Sequence, residues 1–211
     1  MTAYVKNGSL PPHLVDSRDP PAIALLKEDH QVFRVLFDLV ETIGDDVLFP
    51  IAGEICIRLA VHMNLEEEFL YPSLKAVLDA EVIDDAMLDH QLAKRAISSI
   101  MEIAGRDGPL RAAVHGLGEE VIRHADEEDR ELLHDARGAW EDGKVDLLGI
   151  GIQMQSRRRD LFTLVGSAAA ETCAFDVDLP AEDVECLAQS SSPVDGEAWP
   201  EHGDLVSHGR H

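Results

Sequence analysis

Two histidine–glutamate pairs with the same spacing are the residues of this chain best suited to chemistry. His62 precedes Glu66 by four positions, and His124 precedes Glu128 by four positions. On an α-helix this spacing stacks the two side chains on one face, one turn apart. An imidazole and a carboxylate that are buried without partners cost several kcal/mol, and a metal ion would satisfy both. The repeated pair therefore indicates a metal site.

The chain repeats more than this pair. Asp29-His30-Gln31 recurs 60 positions later as Asp89-His90-Gln91, and the histidine–glutamate pair recurs after 62 positions. A repeat at a nearly constant interval predicts two copies of one helical hairpin. Each copy would supply one histidine from its first helix and the histidine–glutamate pair from its second. A lone histidine on an apolar stripe is more often a core residue than a ligand, and the repetition is what makes His30 and His90 candidates.

The predicted donors suit a pair of metal ions. Imidazole nitrogens and carboxylate oxygens are the ligands that iron, manganese and zinc accept. Two histidines for each metal, with two carboxylates spanning both, would hold two ions at the ~3.5–4 Å typical of dinuclear sites. Two carboxylates cannot neutralise two such ions, so we also expect a bridging hydroxide or oxide from solvent. The predicted ligands are His30, His62, Glu66, His90, His124 and Glu128.

Hydrophobic periodicity predicts the helices that must position these donors. Apolar residues recur at intervals of three and four around the histidines, which predicts helices over 22–43, 82–104 and 109–137. A further helix ends near Tyr71, before Pro72, and begins either after Asp45-Asp46 or just after Pro50. Four helices with short links predict an all-α fold, an up-down-up-down four-helix bundle.

The segments outside this bundle differ in composition. Residues 1–21 contain two proline pairs and predict an extended N-terminal arm, followed by the bundle over residues 22–140. Residues 141–170 have moderate periodicity and predict an additional helix. From residue 171 to residue 211 the chain is acidic, and serine, glycine and proline punctuate it, so we expect a poorly ordered C-terminal tail.

The overall charge excludes some classes of partner. With 18 basic and 41 acidic residues the formal charge is −23, which repels nucleic acid and anionic lipid, so we expect neither as a partner. The three cysteines form no Cys-x-x-Cys motif, which argues against a disulfide framework or a thiolate zinc site. The N-terminus lacks a signal-peptide pattern and no apolar run reaches membrane-spanning length, so we expect a cytoplasmic location. The oligomeric state stays open.

The order of the donors resembles the hemerythrin-like (HHE cation-binding) family of non-haem di-iron proteins. The resemblance covers about residues 22–137 and includes the glutamate-rich stretch that leads to Tyr71-Pro72. It implies that the two ions are iron, with a bridging oxo or hydroxo group. In that family the last carboxylate is usually an aspartate five positions after the fourth-helix histidine, which here is Asp129. We favour Glu128, because its spacing repeats that of His62 and Glu66.

One position departs from the oxygen-carrying hemerythrins. They have a fifth histidine one turn after the third-helix histidine, where this chain has Lys94. The pattern is closer to family members linked to iron sensing, nitrosative repair or peroxide handling. A missing histidine would open a coordination position on the second iron, so we expect hydrogen peroxide as the small-molecule ligand and its decomposition as the reaction. As a catalytic residue, Lys94 would place its ammonium near bound peroxide and favour its anion. The alternative is a lysine that extends to solvent.

Other functions and architectures use the same residues. The protein would otherwise bind O2 or NO reversibly as a sensor or store, or act as an iron-responsive interaction module whose fold depends on metal. Ferritin-like bundles carry Glu-x-x-His on two helices, and the helical region offers this motif once, at Glu131 and His134. We expect His134 and His115 to lie at the surface.

Overall fold

The computed structural model describes residues 19–103 and 109–172, and of residues 167–172 only the backbone. Within these ranges the chain forms helices and no strand. The predicted arm and the predicted tail fall almost entirely outside the described residues. In the described part of the chain, no helix combines the length and the apolar character that crossing a membrane requires.

The described helices follow one another with short links. In chain order they are α1 (Pro21–Val40), α2 (Asp45–Leu65), α3 (Tyr71–Leu74), α4 (Ala80–Ile103), α5 (Leu110–Glu127), α6 (Leu133–Glu141) and α7 (Leu147–Thr172). A π-helical turn joins α2 to α3 over Glu66–Leu70, and a second one joins α5 to α6 over Glu128–Leu132. Both π turns begin at a predicted ligand. π turns inside α-helices are uncommon and occur frequently at functional sites.

The helix ends agree with signals in the sequence. Asp45 and Asp46 occupy the first turn of α2, where a carboxylate interacts favourably with the helix dipole. Of the two predicted starts for this helix, the acidic pair is therefore correct, and Pro50 lies inside the helix. The helical path also continues past the predicted end near Tyr71. Pro72 falls in the first turn of α3, where a missing N–H is tolerated.

Four helices surround the predicted donors. α1 contacts α2 and α5, and α4 also contacts α2 and α5. Their apolar stripes form two buried clusters, and the histidines lie where the clusters meet. On α1, for example, His30 lies between Leu26 of one cluster and Phe33 of the other. The histidine layer is thus enclosed by apolar side chains on both sides along the helix axis.

α7 packs against α1, α2 and the first π turn. Leu147, Ile150 and Met154 recur at intervals of three and four and are buried in the same cluster as the start of α1. Gly151 lies at the closest approach, because a Cβ there would stand 2.5 Å from the backbone nitrogen of Ala22. The absence of a side chain at Gly151 therefore lets α7 lie directly against α1.

This close approach is testable with one methyl group. Gly151→Ala is expected to lower the free energy of unfolding by about 1–3 kcal/mol, because the added methyl overlaps the backbone of α1. Gly53→Ala on α2 is the matched control, since nothing lies within 4 Å of a Cβ built there. Alanine inside a helix is more stable than glycine by about 0.5–1 kcal/mol, so the control should shift in the opposite direction. Urea denaturation measures the free energy of unfolding of both variants. A Gly151→Ala variant as stable as the wild type would contradict the close approach of α7 to α1.

Candidate metal centre

The structure brings the six predicted donors together. α1, α2, α4 and α5 each contribute one histidine, and each π turn contributes its first glutamate. Five of the six side chains are at most 3% exposed, and His124 is 12% exposed. The six residues are His30, His62, Glu66, His90, His124 and Glu128. Residues separated by up to 98 positions in the chain thus share one buried layer.

The donor atoms fall into two overlapping groups. Within each group, one ligand atom from every member lies within 4.8 Å of the others. The first group consists of His30, His62, Glu66 and Glu128, and the second consists of Glu66, His90 and His124. The histidines form two pairs, His30 with His62 and His90 with His124, and the ring centroids are 5.0 Å apart in each pair. Glu66 is common to both groups, as a carboxylate that spans two metal ions would be.

The two glutamates reach across both histidine pairs. Oε2 of Glu66 lies 3.3 Å from Nε2 of His62 and 3.3 Å from Nε2 of His90. In the same way, Oε2 of Glu128 lies 3.4 Å from Nε2 of His30 and 3.5 Å from Nε2 of His124. Each carboxylate therefore touches one histidine of each pair.

A carboxylate also contacts the outer nitrogen, Nδ1, of every one of these histidines. Because an ionised carboxylate only accepts hydrogen bonds, Nδ1 carries a proton and Nε2 is the nitrogen directed to the interior. The Nδ1 contacts are His30 with Asp129 at 2.9 Å, His62 with Asp29 at 3.4 Å, His90 with Glu67 at 2.9 Å and His124 with Asp89 at 3.3 Å. This arrangement orients histidine ligands in metalloproteins.

The sequence led us to no role for Asp29, Asp89 and Glu67, and to Asp129 only as an alternative metal ligand, although the repeat contained the signal. Asp29 and Asp89 precede the first-helix histidines, and each holds the second-helix histidine of its own half. Glu67 and Asp129 follow the two inner glutamates, and each holds a first-helix histidine of the other half. The acidic neighbours therefore repeat along with the donors, and they link the two halves of the chain.

Several buried polar atoms of the inner layer have no hydrogen-bond partner among the described residues. They are Nε2 of His30, Nε2 of His124, both carboxylate oxygens of Glu66 and Oε2 of Glu128. A buried polar atom left without a partner costs about 1–3 kcal/mol. These unpaired atoms belong to the two groups whose ligand atoms converge, so cations between them would pair them all. The donor set therefore fits metal ions.

Tyr71 adds a phenol to the same layer. Its hydroxyl donates to Oε1 of Glu128 at 2.7 Å, and its oxygen lies 3.1 Å from Nε2 of His90. The neutral ring of His90 carries its proton on Nδ1, facing Glu67, so Nε2 has none to offer the phenol. Two lone pairs consequently face each other, an arrangement that a cation would relieve. From the sequence, Tyr71 was expected only to belong to the family pattern and to lie at a helix end.

The ionisable groups of the layer strongly perturb one another. Burial lowers the pKa of His90 and of His124, so both rings are neutral at pH 7. Burial acts in the same direction on His30, but Asp129 and Glu128 outweigh it and raise the pKa of His30 to about 10. Burial and the neighbouring Glu128 raise the pKa of Glu66 well above its ordinary value. Metal uptake would therefore have to displace protons from His30 and Glu66.

Glu128 differs from Glu66 although both are buried. Burial acts to raise the pKa of Glu128, yet His124 and His30 hold it below the ordinary range. Without a metal, the pair therefore carries one carboxylate that is favoured as charged and one that is favoured as protonated. Geometry also separates Glu128 from Asp129, which lies on Nδ1 of His30 rather than in the interior. Glu128 is thus better placed than Asp129 to be the last carboxylate ligand.

Lys94 lies elsewhere than expected for a residue that contacts bound peroxide. Its Nζ is 2.6 Å from both oxygens of Glu67, on the Nδ1 side of His90, and its side chain is 48% exposed. Arg34 is its counterpart in the first half, one turn after the histidine of α1, and it reaches Asp129 at 3.4 Å. This position fits the alternative given above, a lysine that extends to solvent, better than a contact with bound peroxide. The ammonium faces solvent and supports the outer carboxylate, and it is not directed at the interior.

A small cavity reaches the histidine layer. Its volume is about 20 Å³, which is enough for a molecule of about one or two heavy atoms. Most of the other lining residues are apolar, among them Phe33, Leu59, Met63 and Val121, and the charged residues of the lining are Asp89, Glu120 and Arg123. A cavity with a mainly apolar lining favours a small uncharged ligand.

The remaining candidate histidines lie at the surface, as predicted. His115 is 56% exposed and pairs with Glu41, and His134 is exposed. Neither belongs to a metal-ligand group in the described ranges. They offer matched positions for control substitutions.

Comparison with known proteins agrees with this geometry. A family model described as the hemerythrin HHE cation binding domain matches residues 22–136, more than half of the chain, and this range includes the six donors and Tyr71. No curated protein and no solved structure matched the chain. The histidine–glutamate cluster and the family match together support metal binding, and iron is the metal that the family suggests. The chain belongs to the hemerythrin HHE cation-binding family.

Proposed function

We propose that the protein holds two iron ions with a bridging oxo or hydroxo group, and that it decomposes hydrogen peroxide at this centre. The observation that carries the proposal is the pair of overlapping donor groups that share Glu66. One ion in each group would pair the buried atoms that otherwise lack partners. The ligands would be His30, His62, Glu66, His90, His124 and Glu128.

We also infer that α1, α2, α4 and α5 form an up-down-up-down bundle around the two ions. The inference is supported by the contacts of α1 and α4, each with both α2 and α5. Short links between consecutive helices favour antiparallel neighbours. In such a bundle the two histidine–glutamate pairs come from the second and fourth helices and face each other.

Hydrogen peroxide can react with a second molecule of itself without any other reductant. One peroxide takes up two electrons and two protons, its O–O bond breaks, and two water molecules form. The other peroxide gives up two electrons and two protons and becomes O2. A pair of iron ions would supply the two-electron exchange.

The residues of the chain would bind and orient the peroxide and shield it from bulk water. Burial raises the pKa of Tyr71, with Glu128 and Glu66 adding to the effect, so the phenol keeps its proton at pH 7. It would thus keep donating its hydrogen bond to Glu128 beside the centre. The apolar cavity would admit a ligand of the size of peroxide and exclude bulk water and larger substrates.

The position of Lys94 favours turnover over simple oxygen carriage. One turn after His90, the lysine points to Glu67, and no histidine outside the four joins the cluster in residues 19–103 and 109–172. The second donor group has three members where the first has four. Without a fifth histidine, the ion in the second group would keep an open coordination position for a reacting ligand.

The experiment combines metal analysis with oxygen evolution. Protein purified without added metal is expected to contain about two iron ions per chain and to release half as much O2 as the peroxide that it consumes. His62→Ala should lose both properties, and His115→Ala on the protein surface should keep both. Absorption bands of an oxo-bridged ferric pair would identify nuclearity in the same sample.

Two results would contradict parts of the proposal. An iron-loaded protein that evolves no oxygen, yet binds O2 or NO reversibly, would replace the peroxide reaction by the sensor or storage function. Manganese or zinc in place of iron would overturn the choice of metal.

A further inference from the structure

The two halves of the metal centre differ in how their outer aspartates are held. Asp29 and Asp89 occupy equivalent positions of the repeat. Nη2 of Arg123 binds Oδ1 of Asp89 at 2.9 Å, and Arg123 directly precedes the histidine of α5. The residue that precedes the histidine of α2 is Val61, which is buried and offers no charge. The first half therefore lacks, at this position, the cation that the second half has.

Arg158 of α7 supplies this cation. Its Nη2 donates to Oδ1 of Asp29 at 2.6 Å, while Oδ2 of the same carboxylate lies 3.4 Å from Nδ1 of His62. The side chains of Arg158 and Asp29 are 18% and 8% exposed, whereas those of Arg123 and Asp89 are 44% and 21% exposed. A charge-assisted hydrogen bond is stronger where water is excluded, so the contact from α7 is the firmer of the two.

The neighbourhood of Arg158 fixes its position. The ring of Phe162, one turn further along α7, lies 5.9 Å from the guanidinium of Arg158 and 5.8 Å from that of Arg58 on α2. At the other end of the contact, Gly151 brings α7 directly against the backbone of α1. α7 also lies outside residues 22–136, which the family model matches. Arg158 is thus an element of this chain beyond the matched domain.

We propose that Arg158 is a positioning residue of the metal centre, and that α7 is therefore part of the site. By holding Asp29, Arg158 fixes the partner of Nδ1 of His62 and so directs Nε2 of that ring toward the first donor group. The inference rests on the proposed metal centre. Loss of a residue that supports a histidine ligand from outside typically lowers metal affinity by about 10–100-fold.

The test substitutes Arg158 by Met in the full-length chain, which removes the charged hydrogen bond and keeps an unbranched stem. One of the two irons is expected to leave to a chelator about 10–100-fold faster, while release of the other is unchanged. Arg157→Met is the matched control, because Arg157 binds the exposed Glu68 at 2.9 Å. Arg158→Lys should recover part of the retention, since it restores a cation, and a role in packing alone would not be rescued by charge.

A second measurement works without metal. In the metal-free chain, the proton on Nδ1 of His62 should exchange with solvent about tenfold faster in Arg158→Met than in the wild type, and that of His124 should not change. Nitrogen-edited NMR of the histidine rings measures both. A wild-type chain that takes up no iron would overturn the proposed function, and the NMR comparison would still decide the role of Arg158. The inference would be overturned if Arg158→Met released iron at the wild-type rate and its His62 Nδ1 proton exchanged with solvent at the wild-type rate.

Discussion

Removal of iron is expected to lower the melting temperature of the protein by about 15–30 °C. A ligand present at a thousand times its dissociation constant stabilises the folded state by about 4 kcal/mol, so two sites contribute about 8 kcal/mol. A chain of this size shifts by about 2–4 °C for each kcal/mol. The physical source is the inner layer, where Glu66 and Glu128 are buried with oxygens that lack partners among the described residues.

Differential scanning calorimetry of iron-loaded and chelator-treated protein measures the shift. His115→Ala should show the same difference in melting temperature as the wild type, because His115 is exposed and belongs to neither donor group. His62→Ala should show only about half of the wild-type difference, since it removes a member of the first group and leaves the second group intact. A wild-type melting temperature that stays constant when iron is removed would show that the buried donors do not hold a metal.

The substitution Glu66→Gln is expected to remove both ions and leave the metal-free fold intact. Glu66 is the donor that the two groups share, and an amide has only one oxygen and no negative charge with which to span two cations. Iron should fall from about two ions per chain to fewer than about 0.5, and oxygen evolution should disappear. Burial and Glu128 raise the pKa of Glu66, so the neutral amide resembles the protonated acid. The melting temperature of the metal-free chain should therefore change by no more than about 2 °C.

Glu68→Gln is the matched control for this experiment. It makes the same chemical change two positions further along the same π turn, at a side chain that is 41% exposed and pairs with Arg157. Iron content and oxygen evolution should remain at wild-type values. If Glu66→Gln retained both ions as tightly as this control, Glu66 would not be the shared ligand, and the dinuclear arrangement would have to be abandoned.

The inner layer was predictable because its signals are local and repeated. A histidine and a glutamate four positions apart must share a helix face, and the recurrence of the motif around His30 and His90 shows which other residues belong with them. The all-helical fold of the described residues agrees with the hydrophobic periodicity. Membership of the hemerythrin HHE family, predicted from the order of the donors, is confirmed by the match over residues 22–136.

The outer layer was harder to predict, because its contacts depend on how helices pack. Asp29 and Arg158 are 129 positions apart. Arg158 continues the buried stripe of α7 four positions after Met154, but periodicity within α7 does not indicate which acid on another helix it meets. Lys94 lies one turn from a predicted ligand, yet the carboxylate of Glu67 draws its ammonium to the outer side of the ring. The π turns were also missed, because uninterrupted α-helical spacing was expected through Glu66–Leu70 and Glu128–Leu132.

These π turns imply how relatives of this chain are expected to diverge. A π turn holds one residue more than an α turn, so every side chain beyond it is rotated by about 100° from its place on an uninterrupted α-helix. Losing a single codon between Glu66 and Leu70 would restore the ordinary helix and swing Tyr71 away from Glu128 without breaking the chain path. The loss or gain of one residue in this first π turn is therefore expected to move the phenol away from or toward the donor layer without the exchange of any side chain.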